Sequence, residues 1–195
     1  MKKYELLKDD TIEVAGKTLF RIKALISFKD IRKGEIGGYV EAERNLSQSG
    51  NAWVCDDACV CDDACVTGNA HVSGNACVTG NARVTGNARV SDNAWVSGNA
   101  HVSGNACVSD NARVSGNAWV SGNAWVETSN DYIVFKNNWS SFRWFTYTKS
   151  NKMWRVGCFY GTGDELIKEA YADSEESGRK YELYVNLVKE LYRDE

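Results

Sequence analysis

The sequence predicts a mainly β protein built around a parallel β-helix, and three regularities lead to this fold class. Alanine recurs at every sixth position from Ala52 to Ala124, and valine from Val54 to Val126, without an insertion. Such a short fixed period is typical of a solenoid. In most repeats, Gly-Asn or Asp-Asn pairs separate the apolar positions and tolerate the positive φ of tight turns. The chain contains no proline, as expected where stacked strands use nearly every backbone N–H.

Each repeat is expected to supply one short strand and one turn. Side chains alternate along a strand, so the alanine and the valine point inward and the residue between them points outward. Three repeats then close one triangular coil of eighteen residues. Positions eighteen apart should stack at the spacing of neighbouring strands, about 4.8 Å. The variable outward residue therefore forms three columns along the helix.

The repeated pattern Val-Ser-Gly-Asn-Ala-X, as in residues 96–101, resembles the hexapeptide repeat. That family forms left-handed parallel β-helices, and the resemblance implies the same hand here. We assign residues 50–127 to this hexapeptide-repeat β-helix. Because one fold hosts many activities, the resemblance is specific for fold and not for function.

Residues 1–49 are predicted to form a small N-terminal β cap, since the open end of a β-helix is an unpaired sheet edge. The stretch 10–25 alternates well enough for two strands with Ala15-Gly16 as the turn. Residues 45–48 resemble a degenerate first repeat. Gly34, Gly37 and Gly38 are expected to form the loop that enters the helix.

Residues 128–195 are predicted to form a C-terminal α+β domain. Three aromatic-rich strands are expected at 132–135, 143–147 and 153–159. Thr162 to Glu165 has the spacing of a capping box and should open a helix that runs to about residue 172. A second helix is expected over 175–192, with an apolar face formed by Tyr181, Tyr184, Leu187, Val188 and Leu191.

The outward columns contain four tryptophans, with arginines and histidines as neighbours. Exposed Trp and Arg are the residues of binding hot spots, so we expect these columns to bind a partner. The candidate partner-binding residues are Trp53, Trp95, Trp119, Trp125, Arg83, Arg89, Arg113, His71 and His101. The alternative is that the terminal domains or a second subunit cover them.

We expect no catalytic residue, no metal site and no cofactor. A three-histidine zinc site is excluded because the chain has two histidines. The cysteines at 55, 59, 61 and 65 could bind a soft metal, but Cys59 and Cys65 should point from adjacent faces. Cys158 has no histidine in its own domain to serve as a base.

The main enzymatic alternative comes from the hexapeptide-repeat resemblance, because that family includes many acyltransferases. Such an enzyme would have its site between subunits, with a histidine as general base. Here the repeats run without the usual interrupting loop. His71 and His101 are thirty positions apart, which is not a multiple of eighteen, so they lie in different columns.

These observations favour a non-enzymatic protein-interaction module. The segment 37–47 (GGYVEAERNLS), joined to GNAxV repeats, resembles GNAxV-repeat proteins of phage and prophage genomes. That resemblance implies a host macromolecule as partner, such as a CRISPR nuclease or another defence nuclease, which the chain would bind and inhibit. A structural virion or assembly protein is a further alternative.

Charge and hydropathy limit the other partners. The net charge is −3 and no segment is strongly basic, so nucleic acid is expected as a partner only indirectly. The six aspartates of the repeats are diluted by three arginines, which weakens any mimicry of a duplex. With no signal-peptide core and no apolar run long enough to span a membrane, a cytoplasmic location is expected. Homo-oligomerisation is expected through the second helix or the exposed faces.

Overall fold

A computed structural model describes residues 2–193, which form three consecutive regions. The N-terminal region contains β1 (Tyr4–Val14), β2 (Lys17–Ala24), β3 (Ile36–Val40) and a short 3-10 helix at Glu43–Asn45. Strands β1 and β2 pair antiparallel around a turn at Ala15 and Gly16. Both turn residues have positive φ, 50° and 78°, as in the turns that match strand twist in two-residue hairpins. The predicted hairpin is confirmed.

The central region consists of thirteen two-residue strands, and it confirms the predicted parallel β-helix. Each strand pairs in parallel with the strand three repeats later, as Trp95 does with Arg113, so one coil takes eighteen residues. In chain order the strands β4 to β16 are Trp53–Val54, Cys59–Val60, Cys65–Val66, His71–Val72, Cys77–Val78, Arg83–Val84, Arg89–Val90, Trp95–Val96, His101–Val102, Cys107–Val108, Arg113–Val114, Trp119–Val120 and Trp125–Val126.

The strands build three flat sheets, which we call faces 1, 2 and 3. Face 1 contains β4, β7, β10, β13 and β16. Face 2 contains β5, β8, β11 and β14, and β3, β2 and β1 continue it to seven strands. Face 3 contains β6, β9, β12 and β15. The N-terminal hairpin is therefore an extension of one face of the solenoid.

The interior is filled by the alanine and valine columns, each of whose members is at most 1% exposed. Burial of each valine contributes about 1.5–3 kcal/mol. At the corners, asparagines eighteen apart form ladders in which each side-chain N–H donates to the next amide oxygen, as from Asn69 to Asn87 at 3.0 Å. Apolar stacking inside and amide ladders outside thus repeat with the same period.

Glycine occupies most corners because the backbone there is left-handed and the next coil lies close. A Cβ on Gly98, at φ +67°, would lie 3.0 Å from the backbone nitrogen of Gly116. Asp56 and Asp62 take the same conformation, at φ 55° and 62°. Their carboxylates accept hydrogen bonds from the backbone N–H groups of Gly74 (3.0 Å) and Gly80 (2.9 Å). Those contacts with the next coil offset the strain.

Parallel pairing begins upstream of residue 50. Tyr39 and Val40 of β3 pair in parallel with Cys59 and Val60, and Leu46 bridges to Val66. The predicted degenerate first repeat is therefore part of the solenoid. Gly37 and Gly38, expected in a loop, lie in β3 instead. A Cβ on Gly37 would lie 2.5 Å from a backbone oxygen and one on Gly38 2.6 Å, so close packing requires glycine at both positions.

All coils share one hydrogen-bond polarity, which leaves opposite groups unpaired at the two ends. The amide of Trp53 donates to the carbonyl of Ala70, and the same direction holds at every later coil. The first coil therefore presents carbonyls, and the last coil presents amides. At the first coil the cap supplies donors. Lys3 Nζ donates to the Ala52 carbonyl at 2.8 Å, and the Tyr4 hydroxyl donates to the Leu46 carbonyl at 2.7 Å.

The C-terminal region supplies acceptors to the last coil. Thr146 Oγ1 accepts from the amide of Trp119 at 2.9 Å, and Ser150 Oγ accepts from the amide of Trp125 at 2.7 Å. The Tyr132 hydroxyl accepts from the amide of Ser115 at 3.3 Å. Both ends of the solenoid are thus closed by side chains of matching polarity.

The C-terminal region is a four-stranded antiparallel meander followed by two helices. Its strands are β17 (Tyr132–Lys136), β18 (Trp144–Thr148), β19 (Met153–Val156) and β20 (Phe159–Gly161). The third predicted strand is split, because Gly157 turns the chain at φ +58°. Helix α1 (Gly163–Asp173) begins with the predicted Thr162–Glu165 capping box, and α2 spans Glu175–Leu191. No helix within residues 2–193 is long and apolar enough to span a membrane.

The apolar face predicted for α2 is wrong in part. Tyr181, Val185 and Val188 are buried against Phe145 and Trp154. Leu187 and Leu191 are exposed, together with Leu183. The buried face follows the 181, 185, 188 spacing, and a second stripe at four-residue intervals is rotated out of the core.

We predict that replacing Lys3 with Met removes a pH-dependent contribution to stability. Burial lowers the pKa of the Lys3 ammonium to about 8 in the folded protein from its ordinary 10.5. Between these values the unfolded chain binds a proton that the folded chain does not, so this contribution rises with pH. The unfolding free energy of wild type relative to Lys3→Met should increase by about 2–3 kcal/mol from pH 8 to pH 10.5. Both proteins would be unfolded in urea at each pH. Unfolding free energies of wild type and Lys3→Met that change equally with pH would contradict this prediction.

A matched glycine pair tests the close stacking of the corners. Gly98 and Gly116 have the same φ of +67°, but a Cβ on Gly116 would meet nothing within 4 Å. Both alanine variants place a side chain in the left-handed region, which should lower the free energy of unfolding by about 1–2 kcal/mol. The Gly98→Ala variant should lose about 1 kcal/mol more of its unfolding free energy, because the added methyl group also clashes with the backbone of the next coil. Equal losses in chemical denaturation would show that stacking adds no constraint.

Candidate interaction surface

The predicted outward columns exist, and they divide the candidate residues among three surfaces. Neighbours in a column are paired in register, as Arg89 is with His71 and His101 is with Trp119. Face 1 carries Trp53, His71, Arg89 and Trp125, face 2 carries Trp95 and Arg113, and face 3 carries Arg83, His101 and Trp119. A partner that contacts one flat face cannot contact all nine residues.

Trp53 does not belong to an exposed surface, which corrects the sequence-based expectation. Its side chain is 0% exposed. Phe28 and Tyr4 of the N-terminal cap pack edge-on against the indole, with ring centroids at 5.5 Å and 6.4 Å. Intrachain cover, the alternative considered from the sequence, applies at this position because the cap must reach the first coil to pair its carbonyls.

Trp119 is partly covered by the other terminal region. The Arg155 guanidinium lies over its ring at 4.2 Å, and the ring of His101, its column neighbour in the preceding coil, lies at 5.1 Å. Trp119 Nε1 donates to the Ser103 hydroxyl at 3.3 Å. This indole therefore contacts both the preceding coil and the C-terminal region.

Trp95 and Trp125 remain exposed, at 43% and 59%. The Arg113 guanidinium lies 5.7 Å from the Trp95 ring centroid, which confirms the contact expected from an eighteen-residue coil. Trp95 Nε1 donates to the Thr79 hydroxyl at 3.4 Å. The hydroxyl sixteen residues earlier thus orients Trp95 as it does Trp119. At Trp53 the corresponding residue is Gly37, and the buried Trp53 Nε1 has no hydrogen-bond partner among the described residues.

The three outward arginines carry unmatched charge. Arg83, Arg89 and Arg113 are exposed, and none forms an ion pair with a carboxylate in residues 2–193. An exposed guanidinium on a rigid strand is a ready donor to a partner carboxylate, since its planar fork binds in a bidentate way. The exposed arginines therefore favour a partner surface that carries carboxylates.

Face 1 also has a polar groove of about 610 Å³ next to the N-terminal cap. The cap loop at 29–31 forms one wall, and His71, Arg89 and Cys107 line the floor. This loop was missed by the sequence analysis, because neither its path nor its contacts follow the six-residue period.

His71 on the floor of this groove also contacts a cysteine. The Cys55 sulfur lies 3.3 Å from Nε2 of His71. Burial, and then the nearby Asp56 carboxylate, raise the pKa of the Cys55 thiol to about 12. Burial and the cations Lys29 and Arg89 lower the pKa of His71. Both groups are neutral near pH 7, so the pair lacks the thiolate that nucleophilic catalysis requires.

His101 does not meet His71 in space, because the two lie on different faces. Burial, followed by the charge of Arg83, lowers the pKa of His101. No group of three or more His, Cys, Asp or Glu side chains in residues 2–193 is arranged to hold a metal ion.

Two exposed apolar features lie outside the columns. Phe142 and Trp144 are exposed just before and at the start of β18, an inner strand of the C-terminal sheet, and Leu183, Leu187 and Leu191 form the outer stripe of α2. The stripe borders a groove of about 350 Å³ whose wall includes Trp139 and Tyr184. The four-residue spacing of the leucines was available as a sequence signal, but it competed with the stripe that forms the core.

Comparison with known families supports a β-solenoid repeat protein. A family model described as the YdcK beta solenoid repeat matches residues 82–98, 88–104, 106–122 and 112–128. These segments lie in the later coils, where Gly-Asn or Asp-Asn corners alternate with Ala-X-Val strands. A search of curated proteins finds no match to the chain.

Proposed function

We propose that this chain is a non-enzymatic protein-interaction module. The observation that carries the proposal is the exposure of Trp95 and Trp125 on flat sheets, with arginines in the same columns that form no ion pair within residues 2–193. Large aromatic side chains held by a rigid ladder lose little conformational freedom on binding. Trp and Arg together account for much of the energy of protein interfaces.

The outward surfaces of the later strands of faces 1 and 2 are the binding surfaces in this proposal. On face 2, Arg113 lies over Trp95 at 5.7 Å, so a partner can contact an apolar ring and a positive charge at adjacent positions. On face 1, Trp125 is two strands from Arg89. A protein surface that combines an apolar pocket with carboxylates fits both. The six aspartates at the corners of the same solenoid disfavour a phosphate backbone.

We propose a host macromolecule as the partner, in particular a CRISPR or other defence nuclease. The support is the resemblance, read from the sequence alone, of the 37–47 segment and the GNAxV repeats that follow it to proteins of phage and prophage genomes. A nuclease that binds nucleic acid through basic residues would lose that contact if the module covered its active face. Nucleic acid would then be affected only indirectly.

We predict that Trp95→Ala/Trp125→Ala loses the partner and that Trp144→Ala keeps it. Trp144 is 44% exposed, close to the 43% of Trp95, but lies on the C-terminal sheet. Immobilised variants would be compared in capture from a lysate of the bacterial host. The captured protein would then be purified and titrated directly. Loss of two hot-spot residues should weaken binding at least about 30-fold.

Equal affinity of the double variant and wild type would contradict this assignment of the surface. Loss in Trp144→Ala alone would move the interface to the C-terminal domain. Circular dichroism would establish that each variant keeps its fold. All three side chains are outside the alanine and valine core, so little change is expected there.

We also propose that the chain forms a homodimer through α2. Its leucine stripe at 183, 187 and 191 is exposed on a helix whose opposite face is buried. Lys180 and Glu190 flank the stripe near its two ends. The two α2 helices would run antiparallel, with the two-fold axis at the level of residue 185 along each helix. Each Lys180 then faces Glu190 of the second copy, and Leu187 of the second copy enters the groove beside Trp139. Opposite charges and apolar contacts are then matched twice by symmetry.

A charge exchange on α2 tests this dimer. Lys180→Glu and Glu190→Lys each place like charges together, so both variants should be monomeric. The double variant restores the pairs and should dimerise. Sedimentation equilibrium of the purified chain would measure this, with Lys168→Glu on α1 as the control. A monomeric wild type at all concentrations, or a double variant that stays monomeric, would reject the arrangement.

A further inference from the structure

Two cysteines stack directly on one another on face 2. Cys59 of β5 and Cys77 of β8 are partners in the parallel ladder, and their sulfur atoms lie 2.8 Å apart as free thiols. The other cysteines of the columns have different neighbours, since Cys65 pairs with Arg83 and Cys107 with Trp125. Residues 59 and 77 therefore form a pair by the register of the fold.

The pair lies under the N-terminal hairpin. Each cysteine is 8% exposed, and both pack with Leu19, Tyr39 and Cys61. The hydrogen bond between the two sulfur atoms lowers the pKa of Cys59, because Cys77 can donate to the Cys59 thiolate. Burial raises the pKa of Cys61 to about 12. Cys59 is thus the most readily ionised of the three thiols, and a small oxidant can reach it through its residual exposure.

We propose that Cys59 and Cys77 are a modification site at which a peroxide forms a disulfide between neighbouring coils. Adjacent parallel strands lie about 4.8 Å apart, within the Cα separation of about 4.4–6.8 Å that disulfides span. The bond forms without a change of register.

Hydrogen peroxide is the oxidant in this reaction. The Cys59 thiolate attacks one peroxide oxygen, the O–O bond breaks, and the released hydroxide takes a proton to become water. The Cys77 thiol then attacks the sulfenic sulfur of Cys59, the S–O bond breaks, and a second water leaves. Two thiols are oxidised, one peroxide is reduced, and two waters are formed.

The disulfide would hold together the coils on which the hairpin rests. It closes a loop of the unfolded chain and lowers its conformational entropy. We expect oxidation to raise the Tm by about 5–10 °C. Both exposed tryptophans of the columns lie on later coils than the cysteine pair, and Trp95 is the next residue after Cys77 in the same column.

Peptide mapping tests the site. The wild-type chain would be treated with stoichiometric peroxide, and its remaining thiols alkylated after denaturation. Of the seven cysteines, five should be alkylated. Cleavage before aspartates and after arginines gives fragments 57–61 and 63–83, which should be recovered as one linked species that dithiothreitol separates.

Serine variants identify the linked residues, since each fragment contains two cysteines. The linked species should persist in Cys61→Ser and in Cys65→Ser, and disappear in Cys59→Ser and in Cys77→Ser together with the rise in Tm. Seven alkylated cysteines in the treated wild type would overturn the proposal. So would a linked species that survives in Cys59→Ser, or one that is lost in Cys61→Ser.

Discussion

The structure depends on the single polarity of its stacked parallel strands. Every coil donates its amides to the next coil, so a stack of identical coils ends in bare carbonyls at one side and bare amides at the other. Unpaired backbone groups in a buried position cost about 1–3 kcal/mol each. The two ends therefore need different chemistry, and the protein provides it. Lys3 and Tyr4 bring donors to the first coil, and Thr146 and Ser150 bring acceptors to the last.

This requirement also decides which tryptophans remain available. A cap that pairs backbone groups at the first coil must fold over the side of that coil, and Phe28 covers Trp53 as a result. At the other end, the strands that bring acceptors to the last coil also bring Arg155 over Trp119. Trp95 lies in β11, one strand before the end of face 2, and neither cap covers it. The exposed surface is what the two caps leave uncovered.

The period of six determined most of what could be predicted from the sequence. It gave the coil length and hence the stacking of Trp95 with Arg113, because the positions of side chains follow directly from the repeat. The burial of Trp53 could not be predicted in this way, because it depends on the cap loop at 29–31, which does not follow the six-residue repeat. The rotation of α2 was ambiguous for a different reason. Two apolar stripes share that helix, and only the packing of the sheet against it selects Val185 over Leu187.

Because alanine, valine and the corner residues hold the fold, the outward position is free to vary without cost to the core. The second outward position, two residues further along the chain, also makes structural contacts, however. The hydroxyls of Thr79 and Ser103 accept hydrogen bonds from the indoles of Trp95 and Trp119 in the following coil. Such contacts fix an aromatic ring before a partner arrives, and so reduce the entropy lost on binding. At residues 79 and 103 the hydroxyl thus has a physical role, because it orients the tryptophan of the following coil.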